Sequence, residues 1–280
     1  MAVISVSFLS DSLGRTVPVQ VILPTDKMSF SGSLKPAGPF RTLYLLHGII
    51  GDCGDWLKGT AIERFAMDRD LAVVMPSGEN GFYVDQPWNC AMYSKFIGEE
   101  LVDFTRRTFP LSDRKEDTFI GGLSMGGYGA LYNGLKYAET FGSIIALSSA
   151  LILDEDFLQV EEHPRYPSQS EEYKHSCFGP DLTEAVYGEK NPRTRVKMLK
   201  ESGTAIPAIY MACGDKDGLY AKNLSFSEFL KEEGIEHTFE VGPGFSHEWE
   251  FWDQFIRRAL DWLPLHDAVA GMSSGNVGIA

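Results

Sequence analysis

An α/β fold, built on a mostly parallel sheet with helices wound on both faces, is what this 280-residue sequence predicts. Short, nearly continuous apolar runs recur at 43–46, 71–75, 118–120, 144–147, 206–213 and 238–241, the pattern of strands buried on both faces. Segments with helical spacing lie between or after them, at 62–67, 96–109, 124–137, 224–233 and 249–263. Such alternation implies parallel strands joined by crossover helices. The composition, 44% hydrophobic and 12% aromatic, supplies material for one sizeable core, and a single domain over 1–267 is expected.

The chain opens differently. Ile4, Val6 and Phe8 alternate with Ser5 and Ser7, and Asp11-Ser12-Leu13-Gly14 then turns into a second run at 17–23, so an antiparallel hairpin with one wet face is expected. A Gly/Pro/Ser-rich loop at 29–39 separates it from the first parallel strand. The rhythm breaks again at 151–204, which is charged, holds Pro164, Pro167, Pro180 and Pro192, and carries only weak helix signals. Long connections of this kind are usually functional. The segment is read as a lid-like insertion over the carboxyl edge of the sheet, the competing reading being an irregular surface excursion. The tail 268–280 is small and polar, and disorder is expected there.

Charge and composition exclude several classes. With 39 acidic against 25 basic residues the formal net charge is −14, and no Lys/Arg cluster offers the cationic surface that nucleic acid or an anionic membrane requires. No apolar stretch is long enough to span a bilayer. Residues 1–24 lack a basic start and are interrupted by Asp11 and Arg15, so no signal peptide is read and a cytoplasmic protein is expected. Cys53, Cys90, Cys177 and Cys213 are widely spaced without a C-x-x-C pair, and form neither a disulfide framework nor a zinc signature. No metal and no cofactor are expected, and homo-oligomerisation is left open.

Gly122-Leu123-Ser124-Met125-Gly126 matches G-x-S-x-G, in which close glycines let a strand turn sharply into a helix and expose the serine hydroxyl. A second match, Gly271-Met272-Ser273-Ser274-Gly275, has no strand before it, no helix after it and no histidine downstream. Ser124 has a strand run before it and small residues after it, and is the expected nucleophile.

A serine hydroxyl needs a base, and the base needs an acid to orient it. In doubly wound hydrolases both follow the serine, on loops at the carboxyl ends of later strands. His175, His237, His247 and His266 follow Ser124. His237 sits at the wrong end of a strand, His175 in the insertion and His266 past the last helix. His247, just after the run at 238–241, is therefore the expected base. The acid should follow 206–213, where Asp217 is preferred and Asp215 is the alternative. A calcium loop starting at Asp215 is rejected, because Leu219 and Tyr220 stand where an oxygen ligand and a glycine are needed. Two backbone amides must bind the oxyanion. Met125, after the nucleophile, is one; Ile49, in His47-Gly48-Ile49 after the first parallel strand, is the other. His47 precedes Ser124 and is read as support for that loop.

These blocks closely resemble the esterase D-like branch of the α/β-hydrolases, which includes S-formylglutathione hydrolases, tributyrin, acetyl and feruloyl esterases and mycolyltransferases. The resemblance is carried by Leu45-Leu46-His47-Gly48 with Gly51 and Asp55-Trp56, and by Gly121 to Ala130 around Ser124. Ala212-Cys213-Gly214-Asp215-Lys216-Asp217 with Leu219-Tyr220 and Asn223, and Gly244-Phe245-Ser246-His247-Glu248-Trp249 with Trp252, complete it. It implies a cofactor-free serine esterase with Ser124, Asp217 and His247 as triad and Ile49 and Met125 as oxyanion donors. Short acyl esters of the acetyl, butyryl or feruloyl type are the expected substrates, through an acyl-enzyme. A thioesterase of the S-formylglutathione hydrolase type and an acyltransferase are the alternatives. Trp56, Trp88, Tyr93, Tyr220 and Phe245 lie near the predicted carboxyl edge, and Trp88 is the foremost candidate for substrate contact.

Overall fold

The computed structural model describes residues 1–26, 38–159 and 170–265. The 268–280 tail, Ser273, His266 and most of the 29–39 loop lie outside them. In chain order the strands are β1 (Ala2–Ser10), β2 (Arg15–Leu23), β3 (Arg41–Leu46), β4 (Leu71–Pro76), the short pair β5 (Asp85–Gln86) and β6 (Ala91–Met92), then β7 (Thr118–Leu123), β8 (Ser143–Leu147), β9 (Ala208–Gly214) and β10 (His237–Gly242). The helices are α1 (Asp55–Gly59), α2 (Ile62–Asp68), α3 (Tyr93–Lys95), α4 (Leu101–Thr108), α5 (Met125–Lys136), α6 (Glu171–Phe178), α7 (Thr183–Tyr187), α8 (Pro192–Ser202), α9 (Tyr220–Glu232) and α10 (Trp249–Trp262).

Eight strands form one sheet in the order β1-β2-β4-β3-β7-β8-β9-β10. The first three pair antiparallel and the rest are parallel. The expected hairpin is present, with Ser5, Ser7 and Leu9 exposed between half-buried Ile4, Val6 and Phe8. In β3, β4, β7 and β8 almost every residue is buried, and alternate side chains enter separate cores. Tyr44, Leu46, Ile120 and Ala146 join the core that includes α5 residues Ala130, Leu131 and Leu135. Leu43, Leu45, Phe119 and Ile145 join the opposite core, with Phe65 of α2 and Phe251, Phe255 and Ile256 of α10. Continuous apolar strands thus report helices on both sides of the sheet.

Three readings need correction. β10 is an edge strand, mostly half-buried rather than covered on both faces, and Glu240 on it accepts from the Tyr210 hydroxyl at 3.0 Å. Helix formation after β9 starts at Tyr220 rather than at 224. The described part of 151–204 is largely helical. Ser170 caps α6 by accepting from the Tyr173 amide, Asn191 caps α8 by accepting from the Arg193 amide, and Pro192 fills the first position of α8. A proline there lacks only an N–H with no intrahelical partner, so it starts the helix rather than breaking it. Gly203, at φ +69°, ends α8.

Candidate active site

The carboxyl ends of β3, β7, β8, β9 and β10 carry the residues of interest. β7 ends at Leu123 and α5 begins at Met125, leaving Ser124 as the whole turn, at φ 55° and ψ −117°. A non-glycine residue in such a conformation stores about 1–3 kcal/mol. The turn is held by Ser124 N–H donating to Leu147 O (2.9 Å), and by Ser124 O accepting from Ala150 N (3.0 Å) and Tyr128 N (3.1 Å). The flanking glycines follow from backbone contact. A Cβ on Gly126 would lie 2.5 Å from Leu46 O and 2.6 Å from His47 O, and one on Gly122 would overlap the Gly126 carbonyl.

His247 lies in the loop between β10 and α10. Its Nε2 is 3.1 Å from Ser124 Oγ and its Nδ1 is 2.8 Å from Asp217 Oδ2. Ser124 and Asp217 are buried, at 7% and 5% exposure. Oδ1 of Asp217 accepts from Leu219 N at 2.8 Å. Burial works against the Asp217 carboxylate, but the bonds from His247, Leu219 and Ser148 outweigh it and hold the pKa below the ordinary 3.8. Asp217 is thus held as an anion, which fixes the His247 proton on Nδ1 and leaves Nε2 free to accept from the serine. Asp215, the alternative acid, accepts from Gly244 N at 2.7 Å. With Lys216 N donating to Phe245 O (2.9 Å), it zips the acid loop to the histidine loop.

Supporting residues complete the arrangement: Trp252 and Asn223, which stand in the blocks that carry the resemblance, and Ser148, which the sequence did not signal. Trp252 stands edge-on to the His247 ring, with centroids 4.9 Å apart, and its Nε1–H donates to Ser148 Oγ at 3.2 Å. Asn223 joins the loops after β8 and β9, accepting from Ser149 N (3.1 Å) and donating to Ser149 O (2.9 Å) and Leu219 O (2.9 Å).

Met125 opens α5, where the first amides have no intrahelical acceptor. Ile49 lies in the turn after β3, closed by Gly51 N donating to Gly48 O at 3.3 Å. His47 braces that turn as expected. Its Nδ1–H donates to Gly48 O at 2.7 Å, its Nε2 accepts from Gly78 N at 2.9 Å, and its carbonyl accepts from the buried Tyr83 hydroxyl at 3.0 Å. Burial lowers the His47 pKa from 6.5, with Gly48, Asp55 and Asp52 opposing. A second ring proton would face the Gly78 N–H.

Because folding depresses this pKa, the unfolded chain takes up the proton first as the pH falls below 6.5. Folding stability from neutral His47 is present above that value and lost as the pH drops toward the folded pKa. Asp217 acts in the same direction at lower pH, through its own depressed pKa. The thermal midpoint should therefore fall between pH 7 and pH 5. In His47→Gln, whose amide oxygen still accepts from Gly78, that fall should be smaller. Parallel melting profiles of the two proteins would refute the assignment.

The other aromatic candidates sit in packing roles. Trp56 is buried with Nε1 donating to Leu46 O (3.0 Å), Tyr93 donates to Glu79 (2.6 Å), Tyr220 stacks on Phe239 and Phe245 packs on Phe251 and Phe255. Trp88 is 41% exposed. Its Nε1 donates to Ser176 O at 2.7 Å, and Lys190 Nζ lies 5.1 Å from its ring centroid, so it braces the insertion. It makes no hydrogen bond to Ser124, Asp217 or His247 among the described residues.

The Esterase family model matches residues 10–263. This chain belongs to the esterase family. An acetyl esterase of Caldicellulosiruptor saccharolyticus is 42% identical over 265 residues, covering 94% of this chain and 98% of the relative. The substrate-bound fluorophosphonate-binding serine hydrolase F of Staphylococcus aureus superposes with a TM-score of 0.82 at 33% identity, over 95% of this chain and 99% of the other. An S-formylglutathione hydrolase of the same organism gives 0.78 at 32%, over 94% and 98%. The esterase has the α/β-hydrolase fold of these serine hydrolases, and the family supports carboxylic-ester hydrolysis. Among the described residues, no helix of the esterase is long and apolar enough to cross a membrane.

Proposed function

We propose that this esterase hydrolyses short-chain acyl esters through a covalent acyl-enzyme on Ser124. The observation that carries the reading is the continuous relay in which His247 touches Ser124 at 3.1 Å and Asp217 at 2.8 Å. Ser124 Oγ attacks the ester carbonyl while His247 Nε2 takes its proton. The developing oxyanion lies between the Ile49 and Met125 amides, a preorganised pair of donors. Collapse expels the alcohol with the proton held by His247, and water releases the acid by the same steps. Acetyl is the favoured acyl group, supported by the acetyl esterase relative. A thioesterase reading stands second, supported by the likeness to an S-formylglutathione hydrolase.

Initial rates on p-nitrophenyl acetate, butyrate and octanoate, methyl ferulate and S-formylglutathione, blanked with Ser124→Ala, test both. Highest kcat/KM on acetate is expected. A hundredfold preference for S-formylglutathione would replace the first reading with the second. Trp88 is proposed to shape acyl selectivity by bracing α6. Trp88→Ala should change the acetate-to-ferulate ratio by about tenfold, and an unchanged ratio would remove Trp88 from the substrate site.

A further inference from the structure

We propose that Asn80 is a positioning residue that couples the oxyanion turn to the insertion, a role that rests on reading Ile49 as an oxyanion donor. Ile50, the next residue, is β-branched, has φ 63° and is 91% exposed. A β-branched side chain is disfavoured in the left-handed region, and packing does not hold this one. What engages the Ile50 amide is Asn80 Oδ1, at 2.7 Å. The turn is therefore pinned from both ends. His47 and Tyr83 hold its start through Gly48 O and His47 O, and Asn80 holds the peptide that follows Ile49. With both neighbouring peptides fixed, the Ile49 N–H keeps one direction.

The main-chain carbonyl of the same Asn80 accepts from Tyr173 Oη at 2.6 Å and Cys177 Sγ at 3.3 Å, both on α6. Tyr173 and Phe178 of α6 also pack edge-on against Phe82. One exposed residue thus joins the insertion to the turn that carries an oxyanion donor, two units far apart in sequence. How α6 is seated sets where the Ile49 amide points. Asn80 touches no reacting atom; it acts through Ile50 and Ile49.

The two arms are separable. Asn80→Ala removes the bond to Ile50 and leaves the carbonyl for Tyr173, whereas Tyr173→Phe does the reverse. Kinetics on p-nitrophenyl acetate, inhibition by an alkyl trifluoromethyl ketone and melting curves would be measured for wild type, both variants and their combination. Because an oxyanion donor matters only when charge develops, Asn80→Ala should lower kcat by about tenfold to a hundredfold with little change in KM. Ketone affinity should fall by the same factor, and the melting temperature should stay near wild type because the side chain is exposed. Tyr173→Phe should lower kcat by about threefold to tenfold, and the double variant should lose less than the product, the mark of two groups on one path. Unchanged kcat and ketone affinity in Asn80→Ala, or in Tyr173→Phe, would overturn the proposal. A wild-type enzyme that the ketone does not inhibit would remove the acyl-enzyme reading itself, and the proposal with it.

Discussion

Ser124→Ala is expected to lower kcat/KM by about 10⁴- to 10⁶-fold on every ester that the protein turns over, the scale seen when a triad nucleophile is removed. The substitution deletes Oγ, the one atom through which His247 Nε2 reaches the turn, at 3.1 Å. Nothing nearby replaces it. Ser148 donates its hydroxyl toward Asp217 and receives the Trp252 indole, so it is already engaged. The backbone at 124 depends on bonds to Leu147, Ala150 and Tyr128, none made by the side chain. The fold should therefore persist, with a melting temperature within a few degrees of wild type, since one side-chain hydrogen bond contributes about 1 kcal/mol. KM should change little, because alanine leaves the backbone that carries the Met125 amide, and the turn that carries Ile49, in place. Activity above a hundredth of wild type in a folded, contamination-free preparation would show that the reaction runs elsewhere.

The parts of this site legible in sequence were so for two reasons: local geometry dictates the residue type, or chain order leaves few candidates. Gly122 and Gly126 are demanded by carbonyls that a Cβ would strike, so the elbow can be read from five consecutive residues. His247 and Asp217 could be found because chain order and strand ends leave few histidines and aspartates in place. Asn80, Tyr83 and Ser148 could not, since each acts across 30 or more residues, the first two on a backbone group that any residue supplies and Ser148 through a hydroxyl that many residues could replace. No spacing rule links Asn80 to Ile50. The insertion was obscured for a different reason. Its helices are short and bury few apolar residues, Cys177 and Phe178 in α6, Ala185 and Val186 in α7 and Val196 in α8 besides Pro192, so periodicity is weak while capping by Ser170 and Asn191 does the specifying. The central strands β3, β4, β7 and β8 were legible because burial on two faces leaves a continuous run of apolar residues, and the edge strand β10 was misread because four residues are too few to distinguish one covered face from two.

Asp217→Asn tests the remaining member of the relay and should cost about 10⁴-fold in kcat with the structure almost unchanged. Asparagine has the same shape, so Leu219 N–H still finds an acceptor if the amide oxygen takes the place of Oδ1. The amide nitrogen then faces His247 Nδ1, at the position where the carboxylate oxygen stands 2.8 Å away. Two N–H groups cannot share that line, so the imidazole moves its proton to Nε2. That nitrogen then opposes the Ser124 hydroxyl as a donor and no longer removes its proton. The imidazolium formed during attack also loses its counter-charge, which raises the barrier further. Asp215→Asn makes the contrast, because an amide oxygen accepts from Gly244 N–H as a carboxylate does. It should lose less than about tenfold, the effect of a slightly loosened loop. The two aspartates lie two residues apart and both brace the histidine loop, so only the tautomer and the counter-charge at His247 Nδ1 predict a difference of three orders of magnitude between them. Equal losses in the two variants would mean that the loop's position, and not the charge beside His247 Nδ1, is what the acid supplies.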